Sequence, residues 1–178
     1  MYIRILMTKQ ELRFYFKDLL IKKQDKINSN LVKDSLITKI NWLLKKLRVK
    51  TVGLYYPLKY EINLLAIINL LPEIKFFLPK IKNEIRYCAY NFNDALVLGK
   101  CKTYEPINNN FIIPELVIIP GLAFSKDGYR LGYGKGYFDQ YLNNHQNIFT
   151  VGVCLKEQLI DNFPIESHDY KLDLMISV

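Results

Sequence analysis

Apolar positions recur at helical spacing over two N-terminal segments and then give way to short β-branched and aromatic runs. Leu12, Tyr15, Phe16, Leu19 and Leu20 repeat three and four residues apart. Ahead of them Thr8-Lys9-Gln10-Glu11 has capping-box spacing, in which Thr8 accepts from the backbone at Glu11 and Glu11 reaches back. A helix is therefore predicted to begin there, with Lys9 and Arg13 one turn apart on its more polar face. A second helix is predicted over about residues 30–47, where Leu31, Ile37, Ile40, Leu43, Leu44 and Leu47 lie near a 3.6-residue period behind the cap candidates Asn28, Ser29 and Asn30.

Residues 51–56, stopped by Pro57, read as a strand. Glu61 then precedes the apolar run 62–71, which is helix-like and closed by Pro72. Residues 74–79 give a second strand, and 86–90 with 96–98 give two short ones suited to a hairpin or an edge pair. Glu105-Pro106 is read as loop. Residues 116–119 form a buried strand, 137–142 open a helix, and 148–155, with Gly152 inside, form another buried strand. A short helical or irregular piece at 157–159 is ended by Pro164, and 174–178 closes the sheet. Strands alternating with helical patterns predict an α/β fold: a three-layer α/β/α arrangement with an open, mostly parallel sheet, helices on both faces, and an antiparallel element around 86–98. At 178 residues the chain is read as a single domain spanning 1–178, able to bury roughly 70% of the surface its unfolded form exposes.

The formal net charge of +8 raises nucleic acid as a partner, but the excess is nearly all lysine and is spread along the chain. A solvated surface accounts for it, so no nucleic acid is expected. Arginine is scarce, comprising Arg4, Arg13, Arg48, Arg86 and Arg130. Cys88, Cys101 and Cys154 are odd in number and lack metal-ligand spacing, which argues against disulfides or zinc and for a reducing cytoplasm. The apolar patch at residues 5–7 beside Arg4 is too short for a secretory segment, and no run reaches membrane-spanning length. A cytoplasmic monomer without membrane contact is the expectation.

Against this background residues 128–140 stand out. Four glycines, Arg130, Lys135 and Asp139 fall within thirteen residues, between a predicted strand and a predicted helix. Glycine lets peptide N–H groups approach an anion, and strand, loop, helix is the order that aims a helix N-terminus at one. Gly132, Gly134 and Gly136 lack the spacing of the dinucleotide fingerprint, and no Walker pattern occurs in the chain. What remains is an anion cradle in which Arg130 supplies forked contacts and Lys135 a point charge. Each cation about 4 Å from a phosphate oxygen contributes roughly 4 kcal/mol at an effective dielectric near 20, before desolvation. A triphosphate so held calls for Mg²⁺ on one or two carboxylates, for which Asp139 and Asp169 are the candidates.

Each residue also has a plainer reading. Lys9 and Arg13 are either solvated cations or a phosphate clamp, and Glu61 is either a helix N-terminal charge or a ligand acceptor. Asp139 equally suits a helix N-terminus and Asp169 a loop hydrogen bond. His168 is read as a loop residue and His145 as a charge partner at a helix C-terminus. A sugar-phosphate-binding α/β protein and an RNA-binding module remain as competing classes.

Residues 120–124, Pro-Gly-Leu-Ala-Phe, followed by 128–139, Gly-Tyr-Arg-Leu-Gly-Tyr-Gly-Lys-Gly-Tyr-Phe-Asp, resemble the signature of the 5-formyltetrahydrofolate cyclo-ligases, also called 5,10-methenyltetrahydrofolate synthetases. The resemblance extends to Lys9, Arg13, Tyr56, Glu61, Glu105-Pro106, Gln158, Pro164 and His168-Asp169. Phe138 stands where the family commonly has Tyr, and Gln140 where it commonly has Arg. The resemblance implies ATP-dependent closure of 5-formyltetrahydrofolate to the 5,10-methenyl form, with ADP and phosphate released. It implies that Lys9, Arg13, Arg130 and Lys135 hold ATP, with Leu131, Gly132, Tyr133, Gly134, Gly136, Tyr137 and Phe138 forming the loop around it. Arg130 and Lys135 are then the catalytic pair. Asp139 and Asp169 would hold Mg²⁺, and Tyr56, Glu61, Tyr133 and Tyr137 would face the folate.

Overall fold

A computed structural model describes residues 7–178; Arg4 and most of the N-terminal apolar patch lie outside the described residues. The capping box forms as predicted. Glu11 N donates to Thr8 Oγ1 at 3.3 Å and Thr8 N to Glu11 Oε2 at 2.7 Å, starting α1 (Lys9–Lys22). A short α2 (Gln24–Asn28), not foreseen, leads to α3 (Asn30–Leu47), whose cap Ser29 accepts from Val32 N. The buried stripe of α3 is Val32, Leu36, Ile37, Ile40, Leu43 and Leu44. Leu31 and Leu47, counted in the predicted stripe, are exposed: at about 100° per residue Leu31 falls on the face opposite the buried stripe, and Leu47, though in line with it, is the last residue of the helix.

Beyond the helices come β1 (Thr51–Gly53), the one-turn α4 (Ile67–Leu70), β2 (Lys75–Ile81), β3 (Ile85–Ala89), β4 (Leu96–Leu98), β5 (Tyr104–Pro106) and β6 (Phe111–Ile112). They are followed by β7 (Leu116–Ile119), β8 (Ala123–Ser125), β9 (Arg130–Leu131), α5 (Tyr137–Asn144), β10 (Phe149–Cys154), β11 (Leu159–Ile160) and β12 (Leu174–Ser177). The main sheet has the order β12-β10-β7-β1-β2-β3-β6. Pairing is parallel from β12 through β2 and antiparallel at β2–β3 and β3–β6.

Side-chain alternation splits this sheet between two cores. Leu116 and Ile118 face the core that holds Leu12, Phe16, Leu36 and Ile40 of the N-terminal helices, while Val117 and Ile119 face the core that holds Tyr141 and Leu142 of α5. Helices thus cover both faces, as the three-layer expectation required.

Four local expectations change. The run 62–71 yields one helical turn rather than a helix. Asn63 Oδ1 accepts from Leu65 N at 3.0 Å and Tyr55 Oη donates to the Ile62 carbonyl at 2.6 Å, so side chains take the backbone groups that an earlier helical turn would need. Strand β4 pairs with β5 rather than with β3. Glu105 and Pro106 are therefore strand residues, buried, with Glu105 Oε1 accepting from Ile81 N at 3.1 Å. The glycine stretch does not run straight from strand to helix either. Its first residues turn back at Gly128 (φ 96°) to make β9, antiparallel to β8. Only residues 132–136 are loop, and Arg130 and Leu131 sit buried in a strand.

Candidate active site

From β1 the chain moves to β2 on one side, whereas β7 pairs on the other. This reversal of strand order opens a crevice beyond the C-terminal ends of β1 and β7, the usual binding position in an open α/β sheet. Tyr55 and Tyr56, just after β1, and Pro120, just after β7, line a cavity of about 810 Å³ there. That volume suits a small-molecule site. Lys9, Arg13, Tyr56, Glu61, every residue from Arg130 to Asp139, and Asp169 line the same cavity. The positions singled out in the sequence, spread from one end of the chain to the other, are therefore brought together.

One region of the wall carries the charges. Strand β9 delivers Arg130 from below, its Nη2 2.9 Å from Asp139 Oδ2 and its guanidinium 5.2 Å from the centre of the Phe138 ring. Its Nε is buried without a hydrogen-bond partner among the described residues. Gly132 leaves room for this approach: a Cβ there would lie 2.5 Å from Arg130 Nη1, and the guanidinium would have to shift. Arg13 Nε donates to the Gly132 carbonyl at 3.0 Å, tying α1 to the glycine loop. Gly136, at φ 66°, is the residue from which α5 starts. Lys135 is exposed on the loop. Lys9, nearly buried, places Nζ against Asp169 Oδ2 and 3.1 Å from Glu166 Oε2.

Another region is aromatic and holds a buried acid. Glu61 accepts from Leu58 N at 2.8 Å on Oε2 and from Tyr133 Oη at 2.7 Å on Oε1. Burial raises its pKa above the usual glutamate range, opposed by those two hydrogen bonds and by the charge of Arg130. Burial and the neighbouring Glu61 carboxylate in turn raise Tyr133, keeping its hydroxyl a donor. Tyr60 packs on Tyr133 at 6.0 Å and Tyr104 on Tyr56 at 5.1 Å. Glu61 does not serve the helix-dipole role considered from sequence, since no helix starts beside it.

Asp139, in the first turn of α5, is buried, and its Oδ1 accepts from Tyr170 N at 3.4 Å. Through that bond it lies beside the segment carrying Asp169. Two carboxylates, oxygen donors only, on one open cavity fit a hard divalent ion that keeps waters and binds phosphate. His145 bonds the Tyr141 carbonyl at 2.8 Å and stacks on Tyr141 at the end of α5, in keeping with its expected place. His168, read as a plain loop residue, lines the cavity with Glu166, as do Tyr55, Tyr60, Lys100, Cys101, Lys102 and Thr103. Of these only the close spacing of Glu166, His168 and Asp169 could have been noticed in the sequence.

The sequence model described as the 5-formyltetrahydrofolate cyclo-ligase family matches residues 6–178. The Mycoplasma genitalium protein named 5-formyltetrahydrofolate cyclo-ligase is 31% identical over 169 residues, covering 90% of this chain and 94% of that protein. A Schizosaccharomyces pombe protein named "Probable 5-formyltetrahydrofolate cyclo-ligase" is 34% identical over 154 residues, covering 73% and 76% of the two chains. The NMR structure of Aquifex aeolicus 5,10-methenyltetrahydrofolate synthetase superposes with a TM-score of 0.76 at 30% identity, covering 96% of this chain and 90% of that one.

Proposed function

The chain belongs to the 5-formyltetrahydrofolate cyclo-ligase family, and from that premise we propose that it uses MgATP to close 5-formyltetrahydrofolate into 5,10-methenyltetrahydrofolate, releasing ADP and phosphate. The observation that carries the proposal is that one cavity joins a cation-lined glycine loop to a buried carboxylate with aromatic walls. A nucleotide triphosphate suits the first, and a flat heterocycle with N–H donors suits the second.

The chemical difficulty is the formyl oxygen, a poor leaving group. The γ-phosphoryl group passes to that oxygen, breaking the bond to the β-phosphate bridging oxygen and giving an imidate phosphate and ADP. The neighbouring folate nitrogen then attacks the formyl carbon, its proton is lost, and the former formyl oxygen leaves as part of inorganic phosphate. This sequence needs positioning and charge neutralisation rather than a covalent nucleophile. Lys9, Arg13, Arg130 and Lys135 hold the phosphates, with Arg130 and Lys135 beside the transferring group. The stretch from Leu131 to Phe138, whose residues 132–136 are loop, supplies backbone N–H donors for the phosphates. Mg²⁺ held by Asp139 and Asp169 would supply further positive charge at the phosphates. Glu61 accepts from the N–H groups of the pterin, and Tyr56, Tyr133 and Tyr137 offer ring faces and edges to the folate.

Purified protein given 5-formyltetrahydrofolate and MgATP is expected to produce the methenyl chromophore with one ADP per turnover. With ¹⁸O in the formyl group, the label is expected in the released phosphate. Absence of the chromophore overturns the proposal, and unlabelled phosphate overturns the phosphorylated intermediate.

A further inference from the structure

Glu166, His168 and Asp169 occupy a single turn at the cavity edge, and one ligand atom from each lies within 4.8 Å of the other two. The turn closes on itself. Asp169 N donates to the Glu166 carbonyl at 3.0 Å and Glu166 N to Asp169 Oδ2 at 2.7 Å. His168 Nε2 lies 3.1 Å from Glu166 Oε2.

Into this group projects Lys9, whose ammonium touches both Asp169 and Glu166. A positive centre is thus already seated between the two carboxylates, supplied from α1 at the far end of the sequence. Two carboxylates facing one ammonium leave a formal excess of one negative charge, which a divalent ion at the same place would remove. An imidazole among the donors changes which ion is suited. Oxygen-only sites suit Mg²⁺, whereas imidazole favours the later first-row metals and zinc. Donors about 2.0–2.2 Å from a tetrahedral ion lie about 3.4 Å from one another. One pair, His168 Nε2 and Glu166 Oε2, is already at 3.1 Å; the remaining separations, up to 4.8 Å, must close by about an ångström, which Glu166 and His168, both more than half exposed, are free to allow. All three residues line the cavity.

We propose that Glu166, His168 and Asp169 form a binding site for a transition-metal ion of the zinc class, entered by displacement of the Lys9 ammonium. Its donor set differs from the Asp139–Asp169 pair offered for Mg²⁺. Because Asp169 and Lys9 are also assigned to the nucleotide, an ion bound here is an inhibitor of MgATP use. That consequence rests on the proposed activity, whereas the binding itself does not.

The test uses the full-length, metal-free protein with Co²⁺ alone as a spectroscopic probe and Zn²⁺ alone as a competitor. One equivalent of Co²⁺ is expected to give the intense visible bands of a low-coordinate site, bleached by Zn²⁺ and retained in excess Mg²⁺. His168→Ala and Glu166→Gln are each expected to weaken binding about tenfold or more, and His145→Ala to leave it unchanged. Lys9→Met is expected to tighten it by removing the competing ammonium. Far-ultraviolet circular dichroism confirms that each variant is folded. Binding that survives intact in both His168→Ala and Glu166→Gln, or the absence of bands in the parent protein, overturns the proposal. Displacement of Co²⁺ by Mg²⁺ at comparable concentration also overturns it, because that result assigns the ion to an oxygen-only site.

Discussion

Arg130 and Asp139, nine residues apart across the glycine loop, form an ion pair removed from solvent, with Nη2 2.9 Å from Oδ2 and side chains only 5% and 12% exposed. The loop between them is therefore clamped at both ends, by a guanidinium on β9 and a carboxylate on α5. Arg13 adds a third attachment through the Gly132 carbonyl. A cradle fixed this way spends little of a ligand's binding energy on ordering itself.

Breaking that pair on one side leaves a buried charge without its partner. Asp139→Asn is expected to lower stability by about 3 kcal/mol, measured by urea denaturation. Replacing both residues, as in Arg130→Leu with Asp139→Leu, is expected to recover part of the loss. Unchanged stability in the single variant would show that solvent already screens the pair.

Lys135 contrasts with Arg130 because it is exposed and stands on the loop itself. Lys135→Met is expected to cut kcat by about 10²–10³-fold, as for removal of one transition-state charge contact. Stability should stay within about 0.5 kcal/mol, as for an ordinary surface change. A near-normal rate at low ATP would remove Lys135 from the proposed phosphate contacts.

In the folate contact proposed for it, Glu61 would link pH to binding. The ionised carboxylate is the acceptor, and burial has raised its pKa, so folate affinity should fall on acidification at a higher pH than an ordinary glutamate would allow. Tyr133→Phe removes one of the groups that favour ionisation and should move this acid limb of the KM profile further up. For stability the sign is opposite. A carboxyl with a raised folded-state pKa contributes most below its unfolded pKa and loses that contribution as pH rises through the raised value. Glu61→Gln is therefore expected to match or exceed the parent in Tm at neutral pH while binding folate poorly. A lower Tm would mean that the site does not hold its acid at a cost.

Glu157 behaves in the reverse direction. A hydrogen bond from Lys26, at 2.7 Å, is the main cause that holds its pKa down at about 2, with Lys23 adding to it. The associated stability is present above the usual glutamate pKa of about 4.3 and is lost as pH falls through about 2. Glu157→Gln should be less stable than the parent at pH 6, and the gap should close on acidification toward pH 2. The carboxylate is about a third exposed and its lysine partners more so, so the gap should be small and shrink in salt. A gap independent of pH would assign the loss to packing instead.

The chain's local signals determined much of this protein. Thr8 and Glu11 capped α1, and Ser29 capped α3, because capping needs only residues three apart. The glycine spacing, the family resemblance and the start of α5 at Tyr137 were likewise readable within a few residues. Tertiary structure decided what depends on partners distant in sequence. Arg130 was legible as a cation in a glycine-rich stretch, but only the pairing of β9 with β8 buries it. The run 62–71 carried a helical pattern, yet the Tyr55 hydroxyl claims its first carbonyl. His168 read as a loop residue, and Glu166 drew no reading, until the fold carried Lys9 across 160 positions to meet Asp169. Hydrophobic periodicity specifies which face of an element is buried; which charges then meet in the crevice is settled by how those faces stack, and that is a property of the whole chain.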